Sequence, residues 1–263
     1  MAGWNIICYC PAYNVEKSLP EFLSRMQSEA GRLSRQGVSL KALIIVDDAS
    51  KDSTPGILAS HKKSLPLIVL RNAKNSGPTG SLFRGMGAAM KLLASKKLPP
   101  ASTILVRLDT DLEHQPEDIS RMIEPIMLGR AKITSGFVPL DSRNGSIAEW
   151  FNKSIGKSES REFAGVEIPQ FCPGFNAVRA DAAKKLYPVL EKAAGKFMRQ
   201  YSIPMLTIDI VILALAKRLG LPLSAIRLRP IEDRWIKKFG LAKTIGYLAY
   251  HRKTTSFLRN YST

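Results

Sequence analysis

The stretch "STILVRLDTDLEHQPEDISRMIEPIM", residues 102–127, joins an apolar run to a helical pattern through a short acidic segment. The run over residues 102–108 is typical of a buried strand, because it is short, apolar and bounded by turn residues. A proline and two acids open the pattern that follows it, as in the first turn of a helix. A strand followed directly by a helix is the repeating unit of a parallel α/β sheet.

Three more strand–helix pairs precede this unit along the chain. The predicted strands are "NIICYC" (5–10), "KALIIV" (41–46) and "PLIVL" (66–70). The predicted helices carry apolar residues at helical spacing at Leu19, Phe22, Leu23, Met26 and Leu33, then at Leu82, Met86, Met90 and Leu93, with a short helix between them that Thr54 caps and Pro55 opens. The alternation predicts a doubly wound, mostly parallel α/β sheet flanked by helices, whose ligands bind at the carboxyl ends of the strands.

The charge of the chain is strongly positive and unevenly distributed. Lys and Arg outnumber Asp and Glu by 39 to 22 over 263 residues, and by 22 to 10 over residues 131–263. This asymmetry indicates either a polyanionic partner, namely nucleic acid, an anionic lipid surface or a phosphorylated substrate, or a surface that is merely solubilising. Acids at the strand ends disfavour nucleic acid, because they would repel its phosphates.

Cysteine usage and hydropathy indicate a reduced, cytoplasmic protein. Three cysteines are too few for a disulfide framework, and Cys8 and Cys10 fit small core residues on one face of a strand. No signal peptide is apparent at the N-terminus. The longest apolar stretch is short for a bilayer span and contains Asp209.

The acids at the end of the fourth strand form a candidate metal site. Asp109 and Asp111 alternate on an extended backbone and therefore point the same way. One or two carboxylates together with substrate phosphates suit Mg²⁺, and Glu113 lies two residues further on. Taken alone, the pair is more typical of solvated or helix-capping acids than of a metal site.

A second acidic element follows the second strand. Asp48 could accept hydrogen bonds from the N–H edge of a nucleobase, or it could belong to a plain turn. No G-x-G-x-x-G follows the first strand, and the chain contains no P-loop sequence.

Four segments together are more specific than any one of them. "CYCPAYNVEKSLPEFL", "IIVDDASKDST", "LRNAKNSGPTGSLFRGMGAAM" and "RLDTDLEHQPEDI" resemble, in order and spacing, the nucleotide-sugar domain of family 2 inverting glycosyltransferases of GT-A fold. The acidic segment is most similar to that of the polyprenyl-phosphate sugar synthases of the dolichol-phosphate mannose synthase type. In the second half, "CPGFNAVRADAAKKL" and the segment from Leu206 to Thr244 are similar to the same group.

The resemblance implies a role for each matching position, with Mg²⁺ or Mn²⁺ as the cofactor. Glu113 stands where the group usually has Gln, and Ala242 replaces a serine of its closing motif. The implied nucleotide-binding residues are Pro11, Tyr13, Asn14, Glu16, Asp48, Ser50 and Gly77, with Ser81 and Gly85 as further small residues; the implied metal ligands are Asp109, Asp111 and Glu113; and the implied acceptor-phosphate ligands are Arg234, Lys243 and Arg143.

The activity implied by the resemblance is inverting transfer of a sugar from GDP-mannose or a UDP-hexose to a polyprenyl or dolichyl phosphate. The enzyme is expected to be peripheral to the cytosolic face of a membrane, with a membrane protein as a further candidate partner. A runner-up is transfer to a sugar hydroxyl, for which Asp209 would be the catalytic base. With a phosphate acceptor, Asp209 would instead position Arg234 or a cation of the acceptor. A nucleic-acid-binding protein and an inactive nucleotide-sugar binder are the remaining alternatives.

We expect a catalytic domain over residues 1–226, with a nucleotide-sugar half (1–130) and an acceptor half (131–226). Residues 227–263 form a basic C-terminal extension. Its helical part either lies on an anionic membrane or packs back on the domain. His114 is expected near the metal or in a turn, and His251 on the solvated surface.

Overall fold

Strands and helices alternate along most of the chain. The computed structural model describes residues 3–61, 65–138, 147–168, 174–202, 208–230 and 241–261, without the side chains of 147–153 and 241–250. In chain order the elements are β1 (Trp4–Ala12), α1 (Leu19–Arg35), β2 (Val38–Asp47), α2 (Thr54–Ser60), β3 (Leu67–Arg71), α3 (Gly77–Ser95), β4 (Thr103–Arg107), α4 (Ile119–Met127), β5 (Ile133–Phe137), α5 (Ile147–Ala164), β6 (Asn176–Arg179), α6 (Ala180–Tyr201), α7 (Ile208–Arg218), β7 (Leu223–Arg227) and α8 (Leu241–Asn260).

The strands form one seven-stranded sheet in the order β3-β2-β1-β4-β6-β5-β7. Strands β3, β2, β1 and β4 are mutually parallel, whereas β6 is antiparallel to both of its neighbours. The predicted doubly wound, mostly parallel α/β sheet is therefore confirmed. Parallel pairing brings the carboxyl ends of β1, β2, β3 and β4 to one edge of the sheet, and the antiparallel β6 begins at that same edge.

Both faces of the sheet are covered by helices. One core cluster packs α3, α6, α7 and α8 on one face, and the other packs α1, α2 and α4 on the opposite face. All five apolar residues predicted to line α1 are buried. Cys8 and Cys10 are buried and free, and burial raises the pKa of the Cys8 thiol to about 12.

The predicted capping role of Thr54 is wrong. Ser53 is the N-cap residue of α2, and Thr54 is the first residue inside the helix. The Thr54 hydroxyl instead accepts a hydrogen bond from the backbone N–H of Val15, at 3.0 Å. It therefore connects the start of α2 to the loop that follows β1.

The C-terminal helix packs on the domain. Phe257, Leu258 and Tyr261 are buried in the same core cluster as α6 and α7. The expectation that His251 is solvated is wrong, since its side chain is 2% exposed and pairs with Glu159 of α5. Among the described residues, none of the helices is both long and apolar enough to cross a membrane.

We predict that Phe257→Ala lowers the free energy of unfolding by about 3 to 5 kcal/mol, because it removes a buried ring. That ring lies 5.4 Å from the ring of Phe197 and 5.0 Å from that of Tyr261, centroid to centroid. Urea unfolding measures the loss. Ser256→Ala, at the exposed neighbouring position, is the control and should change stability by less than about 0.5 kcal/mol. Equal effects of the two substitutions would mean that α8 is not part of the core.

Candidate functional site

The loops that follow β1 and β2 are joined by reciprocal hydrogen bonds. The backbone N–H of Asn14 donates to Ser50 Oγ at 3.0 Å, and the Asn14 side-chain oxygen accepts from the N–H of Lys51 at 2.9 Å. Asn14 has a φ of 51°, a left-handed conformation that Asn tolerates better than most residues. Two of the predicted nucleotide-binding residues therefore hold the rim of the site together.

A second exchange lies one turn further along the same loops. The N–H of Glu16 donates to Asp52 Oδ2 at 3.1 Å, while Glu16 Oε2 accepts from the N–H of Ser53 at 2.9 Å. Burial opposes ionisation of Asp52, but its hydrogen bonds with Thr54 and Glu16 outweigh burial and lower the pKa of this carboxyl. The two loops are thus fixed relative to each other before any ligand binds.

Asp48 connects the end of β2 to the start of α3. Its Oδ1 accepts hydrogen bonds from both the N–H and the hydroxyl of Ser76, each at 2.8 Å, and from the side-chain amide of Asn72. These bonds outweigh the effect of burial and lower the pKa of Asp48. Only 3% of this side chain is exposed, so one of its two oxygens is committed to the loop that leads into Gly77.

Gly77 and Gly85, two small residues of α3, have different structural roles. Gly77 begins the helix with a φ of +73°, in the region that favours glycine. A Cβ on Gly85 would lie 3.3 Å from the side chain of Tyr9 on β1. Gly85 therefore lets α3 approach the sheet, which is a packing reason for a small residue there.

Thr110 anchors the acidic segment between Asp109 and Asp111. Its hydroxyl donates to the carbonyl oxygen of Pro11 at 2.9 Å, and its own carbonyl accepts from the hydroxyl of Ser18 at 3.0 Å. Thr110 is 1% exposed, whereas the two aspartates on either side of it are partly exposed. The buried threonine thus ties the acidic segment to the end of β1 and the start of α1.

Asp109 is the most perturbed carboxylate among those described. Its Oδ1 is buried and lies 3.6 Å from an Arg107 nitrogen, but it accepts no hydrogen bond from any described residue. Burial raises the pKa of Asp109 to about 7, with Asp111, Asp209 and Glu113 adding to the rise and Arg107 opposing it. An oxygen held in this way is a ligand that a divalent cation would satisfy.

The donor set fits a metal shared with substrate better than one held by protein alone. Over the described ranges, no group of three or more His, Cys, Asp and Glu side chains is arranged to hold a metal ion. Asp111 Oδ1 accepts from the N–H of Glu113 at 3.2 Å. Mg²⁺ and similar cations bind through one or two carboxylates plus phosphate and water, so the pair Asp109 and Asp111 is sufficient. Glu113 as a third ligand stays a prediction.

Gly174, from the acceptor half, lies close to both Asp109 and His114. Gly174 has a φ of +66°, and a Cβ built on it would lie 3.0 Å from Asp109 Oδ2 and 2.8 Å from the His114 ring. His114 is buried and packs edge-on against Phe175, with ring centroids 5.8 Å apart. Residues 174–175 therefore form a close wall beside the donor carboxylates.

A buried ion pair joins the two halves of the chain directly beneath Asp109. The guanidinium of Arg107 donates to Asp209 Oδ1, which also accepts from the side-chain amide of Asn176 at 2.6 Å. Arg107 is 6% exposed and Asp209 is 2% exposed. Burial opposes the charge on Arg107, but the carboxylates of Asp209 and Asp109 outweigh it and raise the pKa of the guanidinium.

Arg107 is a functional residue that is not among those predicted from the sequence, although the sequence contains a signal for it. A single arginine in an apolar strand and a single aspartate in an apolar helix each require a buried partner of opposite charge. Asp209 was expected to act on a hydroxyl or to position Arg234, and the partner that the structure gives it is Arg107.

The predicted acceptor-phosphate ligands are not placed by the described part of the chain. Arg143 and Arg234 lie outside the described residues, and Lys243 lies in α8 where side chains are not described. Tyr13 lies at the site edge with 47% of its surface exposed. Residues Pro11, Tyr13, Asn14, Glu16, Asp48, Ser50, Asp109 and Asp111 are brought to one edge of the sheet by the contacts given above.

The family of the chain follows from comparison with known proteins. Residues 8–187 match the family model described as glycosyl transferase family 2, which is more than half of the chain. The chain belongs to glycosyl transferase family 2. The matched residues include the second part of β1, the acidic segment and the start of α6.

Two curated relatives carry names that concern lipid phosphates. The chain is 26% identical to the undecaprenyl-phosphate mannosyltransferase of Micrococcus luteus over 187 residues, covering 69% of each protein. It is 29% identical to the dolichol-phosphate mannosyltransferase of Pyrococcus furiosus over 150 residues, covering 56% of this chain and 37% of the relative. The matched segment spans less than half the length of several curated relatives.

Solved structures share the fold. A structure of glucosyl-3-phosphoglycerate synthase from Mycobacterium tuberculosis, in complex with Mn²⁺, UDP and glucosyl-3-phosphoglycerate, superposes with a TM-score of 0.61. The sequence identity is 18%, and the alignment covers 98% of this chain and 79% of the other. The fold is therefore the GT-A fold, as the resemblance implied.

We predict that Asp109→Asn stabilises the metal-free protein at alkaline pH. The pKa of Asp109 in the folded state is about 7, above the ordinary value of 3.8, so ionisation weakens folding as the pH rises from about 4 to about 7. An amide escapes this cost and should add on the order of 1 to 3 kcal/mol at pH 8. Thermal unfolding in EDTA at pH 8 and pH 4 measures the difference.

The measurement at pH 4 is the control for this prediction. The advantage of Asp109→Asn should shrink towards pH 4, where the wild-type carboxyl is protonated in the folded state. Asp111→Asn should gain less than Asp109→Asn, because Asp111 Oδ1 accepts a hydrogen bond from the N–H of Glu113, whereas the buried Asp109 Oδ1 accepts none from the described residues. A pH-independent gain would show that charge on Asp109 is not the cause.

We predict that Arg107→Met costs about 3 to 5 kcal/mol of stability, because it leaves Asp209 buried without its cation. The double substitution Arg107→Met with Asp209→Leu should recover most of that loss, because both charges are then absent. Arg259→Met is the matched control, since Arg259 pairs with Glu162 at an exposed site. Urea unfolding of the wild type and these three variants measures the loss and its recovery, and a loss no larger than that of Arg259→Met would contradict a buried pair.

Proposed function

We propose that this chain transfers a hexosyl group from a nucleotide-diphosphate sugar to a polyprenyl phosphate, with inversion at the anomeric carbon. The observation that carries the proposal is the placement of Asp109 and Asp111. They lie at the sheet edge where the loops after β1, β2 and β4 are hydrogen-bonded together. Ligands of open α/β sheets bind in this position.

The donor would lie across the linked loops. Asn14, Glu16 and Ser50 hold the loops that would enclose the nucleoside, and Asp48 fixes the start of α3 beside them. GDP-mannose and a UDP-hexose are both candidates, and the names of the mannosyltransferase relatives support mannose as the sugar. Asp109 and Asp111, with Glu113 as a candidate third ligand, would hold Mg²⁺ or Mn²⁺ against the diphosphate.

The transfer reaction requires that the leaving nucleoside diphosphate is stabilised and that the acceptor is a competent nucleophile. An acceptor phosphate oxygen attacks the anomeric carbon opposite the diphosphate, the bond from that carbon to the diphosphate oxygen breaks, and the nucleoside diphosphate keeps the electron pair. When bound, the metal supplies positive charge to the leaving diphosphate. The carboxylates of Asp109 and Asp111 would hold that positive charge in place. A side chain at position 174 would come too close to Asp109, and glycine avoids this contact.

The state of Asp209 favours a phosphate over a hydroxyl acceptor. A hydroxyl needs a base that can reach its proton, whereas a phosphate is already an anion at neutral pH. Asp209 is 2% exposed, and its Oδ1 already accepts from Arg107 and Asn176. The cationic ligands predicted for the acceptor are Arg143, Arg234 and Lys243. Cysteine usage and hydropathy predict that this chain is cytoplasmic. A lipid acceptor would therefore present its phosphate to the chain at the cytosolic face of a membrane.

We predict that the protein transfers labelled sugar from GDP-mannose or UDP-glucose to a short polyprenyl phosphate but not to the matching polyprenol. Transfer should require Mn²⁺ or Mg²⁺ and stop in EDTA. Asp111→Asn should lower kcat by on the order of a hundredfold or more, because the leaving diphosphate loses its charge stabilisation. Extraction of the labelled lipid measures the product.

Glu124→Gln is the control for this experiment. Glu124 is an exposed acid of α4, and the same acid-to-amide change should leave transfer within about twofold of wild type. Transfer to the polyprenol at the rate of the phosphate would favour a hydroxyl acceptor. Transfer that persists in EDTA, or in Asp111→Asn, would remove the metal assignment.

A further inference from the structure

An open cleft lies between the last turns of α6 and α8, separate from the donor carboxylates. It has a volume of about 400 Å³ and is lined by Lys196, Arg199, Gln200, Phe257, Asn260 and Tyr261. Two cations, two amides and two aromatic rings therefore surround one concave surface. The proposed transfer reaction assigns no role to any of these residues.

The framework of the cleft is well packed. Phe197 of α6 and Phe257 of α8 meet edge to face with centroids 5.4 Å apart, and Tyr261 continues the stack. The Lys196 ammonium lies 4.9 Å from the centroid of the Tyr261 ring, and the Lys253 ammonium lies 5.9 Å from that of Tyr201. Lys196 and Lys253 are therefore placed by contacts between the two helices rather than extended freely into solvent.

The positive charge of this surface is not matched by nearby acids in the sequence. Residues 192–202 and 241–261 contain no Asp or Glu. The C-terminal carbonyl oxygens of Leu258 and Tyr261 already accept from Arg218, and Arg259 pairs with Glu162. Arg218 thus satisfies two of the carbonyl oxygens at the C-terminal end of α8. None of the ion pairs between described residues includes Lys196, Arg199 or Lys253, so their charges stay available for an external partner.

An exposed apolar side chain accompanies these cations. Met198, beside Arg199 in the last turn of α6, is 53% exposed. Among the described residues it is one of three large hydrophobic side chains with such exposure, the others being Tyr13 and Leu128. On the helix Met198 lies at the flank of the cleft, next to Arg199 and away from Lys196, because residues two apart do not share a helix face. An exposed, flexible apolar side chain at such a flank suits the boundary between lipid headgroups and acyl chains.

We propose that Lys196, Arg199, Lys253 and Met198 form a docking surface for an anionic phospholipid membrane, which we name the α6–α8 basic face. It deepens the proposed function, because a polyprenyl phosphate acceptor resides in a membrane. Each cation near an anionic surface contributes attraction that salt weakens, and Met198 adds burial of apolar surface. In the structure the C-terminal helix packs on the domain through Phe257 and Leu258, and Lys253 is its cation in the α6–α8 basic face.

Flotation with vesicles tests this surface directly. The probes are vesicles of phosphatidylcholine alone and of phosphatidylcholine with 30% phosphatidylglycerol, on the order of the anionic content of natural membranes. Wild-type protein should float only with the anionic vesicles, and less so at 0.5 M salt, where the Debye length is only a few ångströms. The triple substitution Lys196→Gln, Arg199→Gln and Lys253→Gln should weaken binding by roughly 10- to 100-fold.

A variant of equal net charge provides the control. Lys91, Lys96 and Arg130 are exposed residues on α3 and beyond α4, and changing all three to Gln removes the same charge elsewhere. This control should float like wild type. Equal loss in both triple variants would mean that net charge alone drives binding, and unchanged flotation of the first would overturn the docking surface.

Transfer assays separate this proposal from the proposed function. With a short, water-soluble polyprenyl phosphate, the first triple variant should keep wild-type kcat and KM, whereas with acceptor embedded in anionic vesicles its rate should fall. Inactivity of the wild type on every acceptor, with vesicle binding intact, would overturn the transferase proposal and leave the docking surface standing. Met198→Gln should reduce flotation further in either salt condition, because its contribution is apolar.

Discussion

The guanidinium of Arg107 is buried between the carboxylates of Asp109 and Asp209, and the site depends on this arrangement. A buried cation without partners would be expensive, as would either carboxylate alone. The pair connects β4 to α7, and Asn176 of β6 donates to the same oxygen of Asp209. The donor edge and the acceptor half are consequently held together by charge as well as by apolar packing.

The remaining site residues are organised around the same edge by hydrogen bonds of ordinary strength. Asn14 with Ser50, Glu16 with Ser53, and Thr110 with Pro11 each connect segments that are far apart in the chain. Fixing these loops in advance lowers the ordering cost that a nucleotide would otherwise meet on binding. Asp109 is the exception, since its buried oxygen lacks a hydrogen bond among the described residues and its pKa is raised to about 7. Groups that must bind a ligand commonly lower the folding stability of the free protein.

The basic composition of the second half has a structural counterpart at α6 and α8. The C-terminal helix buries Phe257 and Leu258, and its Lys253 is exposed, so one segment contributes both to the core and to a charged surface. The net positive charge alone does not distinguish between classes of anionic partner. The placement of Lys196, Arg199 and Lys253 around one cleft and its rim points to one particular surface for such a partner.

Much of the fold was determined by the sequence alone, because apolar strands and helical spacing at Phe22 and Leu82 report burial locally. The motif order likewise predicted which loops meet at the carboxyl ends of the strands. Only the tertiary structure decided the antiparallel β6, the partner of Asp209 and the packing of α8, because each depends on contacts between residues far apart in the chain. The hydroxyl of Thr54 illustrates the limit: local sequence favours a helix cap, whereas a loop 39 residues away supplies its real partner.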